Sequence, residues 1–471
     1  MREKSLFKTF IGFAIGPLGA AAINFLTIPI ITWLISPEEF GKTSIFLLMQ
    51  TLANAIIFLG MDQSYVREYN DAIDKKKLLF NCIVLPFIFS IVIAGVLILF
   101  SKDITGMLLK GQSHLVLVLF AISLPFITLE RFYLLSIRME EKGLIYSIFN
   151  IIVKLFIMVF TVVFLLYWSR NYLSVIIGSV AGQVISDILL IFYCKGRIRW
   201  ALSIDKDLLK QMFRFGLPFI PTAFIMWFLN STDRIVLERF SSYDQLGVYF
   251  AALKVIGVLT IFQTIFATFW LPIAYKWKKE NVDTQKFSQI SHYIGFLMSM
   301  VFIFILLMKQ VFIYILSDKY GDVVFIIPFL LFYPIMYTLA ETTGLGISFS
   351  RKTHYNIWIS VCLCCMNLLL NLILVPYINA LGASIALGVT YILYFWIKTI
   401  VSRRLWYNFN LMYYVKLTII LLLTAVGNVL LEKWIIYFNV LLMCVVILYH
   451  KNIICEFYAS VKNKKGVKAT F

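Results

Sequence analysis

Seven polar or charged side chains stand deep inside long apolar runs of this sequence: Lys154, Asp187, Asn230, Asp233, Arg234, Lys254 and Glu341. A charge at the centre of a bilayer costs about 2.5–3.5 kcal/mol on insertion scales, so such residues face a cavity or a partner. Lys154, Arg234 and Lys254, with the Asn230 amide, are the types that hold a diphosphate or an acidic sugar. The carboxylates Asp187, Asp233 and Glu341 could balance that charge or couple an ion. At ~1.5 Å of rise per residue, Asn230 and Lys254 fall at similar depth on consecutive antiparallel helices, and Lys154 falls near a midplane. A structural ion-pair cluster of Asp233, Arg234 and Lys254 is an equal reading of those three residues. Asp62, Arg67 and Arg131 lie nearer the ends of apolar runs, as Glu130 and Lys416 do, where side chains can also snorkel to the interface. Asp62 and Arg67 are separated by about 140° around a helix, so each needs another partner or water at a mouth.

The elements that position these residues follow from composition. Of the 471 residues 61% are hydrophobic and 14% charged, and the mean hydropathy is +0.89. Uninterrupted apolar runs of 18 or more residues cross the ~30 Å hydrocarbon core as helices, because the backbone must satisfy its own hydrogen bonds there. The runs alternate too weakly for barrel strands. The expected fold is an all-α integral membrane protein of about fourteen transmembrane helices. The net charge of +18 is spread in small clusters between apolar segments, a topology signal rather than a nucleic-acid surface. The basic start at Met1–Lys8 leads into an apolar run too long for a cleaved signal, so it reads as a retained first helix.

Enzymatic patterns are missing from the sequence. His114, His292, His354 and His450 are far apart, no Walker-type loop occurs, and no paired-carboxylate or Ser/His/Asp pattern stands out. No cofactor and no catalytic residue are expected. Cys362, Cys364 and Cys365 read as packing residues rather than metal ligands.

The predicted spans are 9–34, 43–66, 78–100, 114–137, 144–168, 173–194, 213–238, 246–272, 289–316, 323–349, 355–375, 380–401, 411–431 and 434–450. Of the 42 Lys and Arg, 29 fall in one set of alternate loops and tails and 8 in the other. That bias predicts both termini in the cytoplasm. The longest connection, 195–212, lies at mid-chain. An internal repeat pairs Ser36-Pro37-Glu38-Glu39-Phe40-Gly41 with Ser241-Ser242-Tyr243-Asp244-Gln245-Leu246-Gly247, the two final glycines being 206 residues apart. Both copies follow odd-numbered spans, which predicts two lobes in one orientation around a central cavity. Pro29, Pro86, Pro125, Pro218, Pro221, Pro272, Pro328 and Pro334 predict bending points. Gly12/Gly16 and Gly178/Gly182 predict close helix packing.

Three stretches together resemble the Wzx-type polysaccharide flippases of the multidrug/oligosaccharidyl-lipid/polysaccharide exporter superfamily. The first runs from Pro29 through Ser36–Gly41 to Gly60-Met61-Asp62 and Arg67. The second is Phe215-Gly216-Leu217-Pro218, then Asn230–Leu237, ending at Gly247-Val248-Tyr249. The third is Asn371–Pro376 followed by Leu381–Ala386, where the glycine that the family pattern has after Pro376-Tyr377 is Asn379 or absent. The resemblance implies two six-helix lobes in a MATE-like V shape. The N-terminal lobe would be 1–194, a cytoplasmic linker 195–212 and the C-terminal lobe 213–404. Accessory helices would occupy 405–451 and a basic cytoplasmic tail 452–471. It further implies a multi-pass protein of the bacterial inner membrane that moves undecaprenyl-diphosphate-linked oligosaccharide, for O-antigen or capsule, by alternating access. H+ or Na+ would be the coupling ion, and a polysaccharide polymerase and chain-length proteins would be partners. A multidrug or other lipid exporter of the same superfamily is the alternative in transport. An O-antigen polymerase or ligase is the alternative among membrane enzymes, although no loop here has the size those enzymes use.

Overall fold

A computed structural model of the chain describes residues 2–108, 113–196, 204–352, 354–431 and 434–451, with side chains from Ile15 onward apart from those of 107 and 108. The expected tail at 452–471 and residues 197–203 of the expected linker lie outside the described residues. Every regular element among the described residues is helical.

The chain begins with α1 (Arg2–Leu34), which holds Pro17 and Pro29. Helix α2 (Pro37–Ile56) starts as its sequence dictates: Ser36 Oγ accepts from the Glu39 amide, Pro37 takes the first turn, and Glu38 and Glu39 meet the positive end of the dipole. It is bent by 48° from α3 (Met61–Glu68), across Leu59 and Gly60, whose φ values are 51° and 68°. Helix α4 (Lys75–Leu99) is capped by Asp74 and followed by α5 (Ser101–Leu108), α6 (Leu115–Met139), α7 (Gly143–Tyr167) and α8 (Tyr172–Tyr193). Helix α9 (Lys206–Gly216) gives way to α10 (Phe219–Phe240) at Leu217-Pro218, and α11 (Tyr243–Lys279) follows.

Next come α12 (Thr284–Leu307), α13 (Lys309–Leu316), a 3-10 turn, α14 (Val323–Leu330), α15 (Phe332–Thr343) and α16 (Leu345–Phe349). Helix α17 (His354–Leu405) has 52 residues, about 78 Å at ~1.5 Å each, more than twice a hydrocarbon core. It breaks at Ile378 and at Asn379, where φ is 46°. Asparagine is among the few residues other than glycine that tolerate a positive φ. Its Oδ1 accepts from Ser241 Oγ at 2.8 Å. Helices α18 (Leu411–Leu430) and α19 (Ile435–Tyr449) complete the chain.

Among the described residues 11 helices are long and apolar enough to cross a membrane, or 12 with the bent α2–α3 pair. The two arms of α17 add one more crossing and the short α19 a last one, which agrees with about fourteen. The chain forms two compact units: Met1–Glu238 with Ser242–Phe250, and Arg239–Ser241 with Ala251–Phe471. Packing thus groups α9, α10 and the first turns of α11 with the earlier helices.

In the first unit, close packing rests on missing side chains. A Cβ at Gly178 would lie 2.4 Å from Thr161 Cα, and one at Gly182 2.6 Å from Ile157 Cα, so α8 lies backbone to backbone on α7. Gly16 lies on Ser147 of α7, donating its amide to Ser147 Oγ at 2.8 Å. Outside the spans, Lys77 bonds Asp205 at 2.7 Å. That hydrogen bond and the Leu208 amide hold the Asp205 carboxyl below its usual pKa. The tie's contribution is therefore present above the ordinary carboxylate pKa and lost as pH falls through the lowered one. In the second unit, Asn428 and Asn439 exchange amide hydrogen bonds of 2.7 and 3.2 Å, locking α18 to α19. Tyr413 OH lies 2.8 Å from His450 Nε2 just past α19.

Gly178→Val and Gly182→Val should each destabilise the protein by about 1–3 kcal/mol through overpacking. Thermal unfolding in detergent would register this as a lowered Tm, and an unchanged Tm would exclude the backbone contact.

Candidate functional site

The first unit forms a half-open cavity of about 660 Å³ whose wall is drawn from α2, α3, α6, α7 and α10. Its polar wall includes Asn54, Asp62, Glu130, Arg131, Arg138 and Asn150. The 48° bend between α2 and α3 turns Asp62 inward, where Oδ2 receives Arg131 Nη2 at 2.7 Å and Gln63 Nε2 at 3.0 Å. The Asp62 side chain is 9% exposed while that of Arg131 remains 44% exposed. The pair therefore anchors the guanidinium from one side and leaves the other side open to the cavity. Trp227 of α10 donates to Thr51, also on the wall, at 3.1 Å.

Behind Glu130 lies a buried polar cluster. Gln183 Nε2 donates to Glu130 Oε2 at 2.9 Å and to both Asp187 oxygens at 3.0 and 2.9 Å. Lys154 acts electrostatically on both carboxylates. Asp187 is fully buried. Two carboxylates thus share one amide and one lysine, an arrangement neutralised by one further monovalent positive charge.

The bent pair is held at its bend and at its start. A Cβ on Gly60 would sit 2.1 Å from Gly216 O, and Ser64 Oγ donates to Met212 O at 2.7 Å. At the start the repeat copies meet reciprocally: a Cβ on Gly41 would lie 2.0 Å from Tyr243 O, and one on Gly247 1.8 Å from Pro37 O. Pro37 and Tyr243, like Gly41 and Gly247, are 206 residues apart. Around this crossing Lys42 pairs with Glu38 at 2.8 Å and Glu39 at 3.0 Å, and Glu39 accepts from the Tyr172 amide at 2.7 Å. Phe40 packs on Phe250 at 4.9 Å.

The sequence-predicted residues divide accordingly. Asp62 and Arg131 join at the cavity, and Asp187 and Lys154 join in the cluster behind it. Arg67 turns away, with its guanidinium 4.2 Å from the Phe215 ring and 3.4 Å from Glu68. Asp233 accepts from Tyr249 OH at 2.8 Å. Arg234 folds back on Asn230 O at 3.3 Å, while its buried Nε has no hydrogen-bond partner among the described residues. Asn230 spends its amide on Met226 O at 2.8 Å. Lys254 belongs to the second unit. There Glu341 pairs with Lys398 at 2.8 Å. Gln183, Arg138 and Lys398 were not among the sequence candidates, and Glu130 was placed only among the charges near span ends. The i,i+4 spacing of Gln183 and Asp187 was legible, but nothing local to Glu130 announces the partner across helices.

Residues 7–278 match the family model described as "Polysaccharide biosynthesis protein". No curated protein sequence matches. Among solved structures, "Lipid II flippase MurJ, inward closed conformation" superposes with a TM-score of 0.71 at 14% identity, over 96% of this chain and 99% of that one. An outward-facing multidrug resistance MATE family transporter of the MOP superfamily gives 0.53 at 14% identity over 84% and 93%. An inward-facing MATE family transporter gives 0.53 at 13% over 82% and 94%. The fold is therefore shared with these membrane transporters.

Substituting Gly41→Val or Gly247→Val should force the reciprocal crossing apart. In a cysteine-free background, a cysteine placed at Asn54 should then react faster with an impermeant thiol reagent added from the Lys42 side. Unchanged labelling would rule out a seal at this crossing.

Proposed function

This chain belongs to the polysaccharide biosynthesis protein family, and from that membership we propose that it is a flippase for undecaprenyl-diphosphate-linked oligosaccharide. On this reading it carries repeat units across the bacterial inner membrane by alternating access, for O-antigen or capsule, and performs no covalent chemistry. The observation that carries the reading is the cavity inside the helical bundle, walled by Arg131 and Arg138 and by polar side chains. Such groups are kept inside a membrane protein only where a polar ligand or water meets them. Guanidinium forks match phosphate oxygens bidentately.

Arg131 and Arg138 are the first residues assigned to the diphosphate, with Lys154, Arg234, Lys254 and Asn230 as further substrate contacts. Glu130 and Asp187, joined by Gln183, are assigned to ion coupling: one proton would neutralise what Lys154 leaves. Asp233 and Glu341 balance charge, and Arg67 belongs to the cytoplasmic mouth. The two lobes divide at the linker 195–212, the last two helices are accessory, and both termini are cytoplasmic. Na+ would be the alternative coupling ion, and a polysaccharide polymerase and chain-length proteins are the proposed partners.

Cells lacking this chain should accumulate single lipid-linked repeat units facing inward, whereas export of single units would indicate a polymerase defect and sink the proposal. Combined Arg131→Gln and Arg138→Gln should abolish surface polysaccharide at normal protein levels. In proteoliposomes Asp187→Asn should remove the response of transport to an imposed pH gradient; a retained response would exclude this pair as the coupling site.

A further inference from the structure

The facing sides of α15 and α17 carry a ladder that neither the cavity nor the ion cluster uses. Tyr333, Tyr337 and Glu341 recur every four residues on α15; Tyr391, Tyr394 and Lys398 oppose them on α17. The rungs are Tyr333 with Tyr391 at 4.5 Å between ring centroids, Tyr337 stacked on Tyr394 at 5.4 Å, and Glu341 with Lys398 at 2.8 Å. Lys398 also donates to Tyr394 OH at 2.9 Å and lies over the Tyr337 ring at 5.8 Å. Gly344 leaves room for its stem, since a Cβ there would fall 2.5 Å from Lys398 Cε.

The rest of α15 is core: Pro334, Ile335, Met336, Thr338, Leu339 and Ala340 are buried, while Tyr333 and Tyr337 are partly exposed and the Glu341 side chain keeps 11% exposure. A helix face that carries an ion pair and phenols does not turn toward hydrocarbon, so this stripe meets water. Helix packing alone would not require hydroxyls here, and no hydrogen bond occupies the Tyr333 or Tyr337 hydroxyl among the described residues. A phosphate is a poor occupant, because Glu341 and Tyr394 already hold the Lys398 charge. A pyranose fits the chemistry: its C–H face lies against an aromatic ring, and its rim of hydroxyls bonds phenols and a carboxylate. Successive rungs are about 6 Å apart along the helix, of the order of one sugar ring.

We propose that Tyr333, Tyr337 and Tyr394, closed at one end by the Glu341–Lys398 pair, form a platform that binds the uncharged sugars of the translocated glycan. The assignment rests on the flippase reading and adds to it a sugar subsite in the second unit.

The test uses the full chain in nanodiscs and two probes: the glycan-bearing undecaprenyl diphosphate that accumulates in cells lacking this protein, and undecaprenyl diphosphate itself. The native protein should bind the glycan-bearing lipid more tightly than the bare one. Combined Tyr337→Leu and Tyr394→Leu, which keep apolar volume but remove the rings, should erase about tenfold of that margin and leave bare-lipid affinity unchanged. Combined Tyr337→Phe and Tyr394→Phe, with ring faces intact, should retain most of the margin and serves as the folding control. If the leucine variant keeps the full margin, the platform is overturned and the flippase reading stands. If the native protein binds neither probe, the flippase reading itself fails.

Discussion

Hydrocarbon offers no hydrogen bonds, and most of the buried polar groups described above are arranged around that fact. The backbone answers it with helices, broken only at a few points. The charged side chains answer it with partners: Asp62 with Arg131, Glu341 with Lys398, and Glu130 and Asp187 with Gln183 and Lys154. Each arrangement keeps a charge inside the bundle without exposing it to lipid. Polar groups that the helices do not require structurally then become available to a ligand.

The second determinant is the absence of side chains. Gly41 and Gly247, Gly60 and Gly216, and Gly178 and Gly182 bring helices to backbone contact. Dispersion between closely apposed backbones holds membrane helices where the hydrophobic effect cannot. The first two pairs act on the bent α2–α3 segment, holding it at its start and at its bend, beside the residues that line the cavity. The reciprocal meeting of Gly41 and Gly247 gives the sequence repeat a physical meaning, because equivalent turns cross each other at equivalent atoms.

Much of this was legible in advance, for reasons specific to the residues. Ser36-Pro37-Glu38-Glu39 announces a helix start through capping and dipole effects that act within one turn. Pro218 announces the α9–α10 break, and Asn379 marks the break in α17 by occupying a backbone conformation that excludes branched side chains. Arg67 shows the opposite case. Its distance from Asp62 in the sequence correctly implied separate partners, but the Phe215 ring could be identified only from the fold.

The sequence by itself determined that the chain is a bundle of about fourteen membrane helices, where most of them begin and end, and that Gly16, Gly178 and Gly182 pack closely. These follow from local periodicity, from apolar length against bilayer thickness, and from the conformational rules of single residues. The tertiary structure alone decided that Asp62 faces Arg131, that Glu130 shares Gln183 with Asp187, and that tyrosines of α15 and α17 form rungs. Such pairs join residues tens of positions apart, and their energies depend on distances that only helix packing sets.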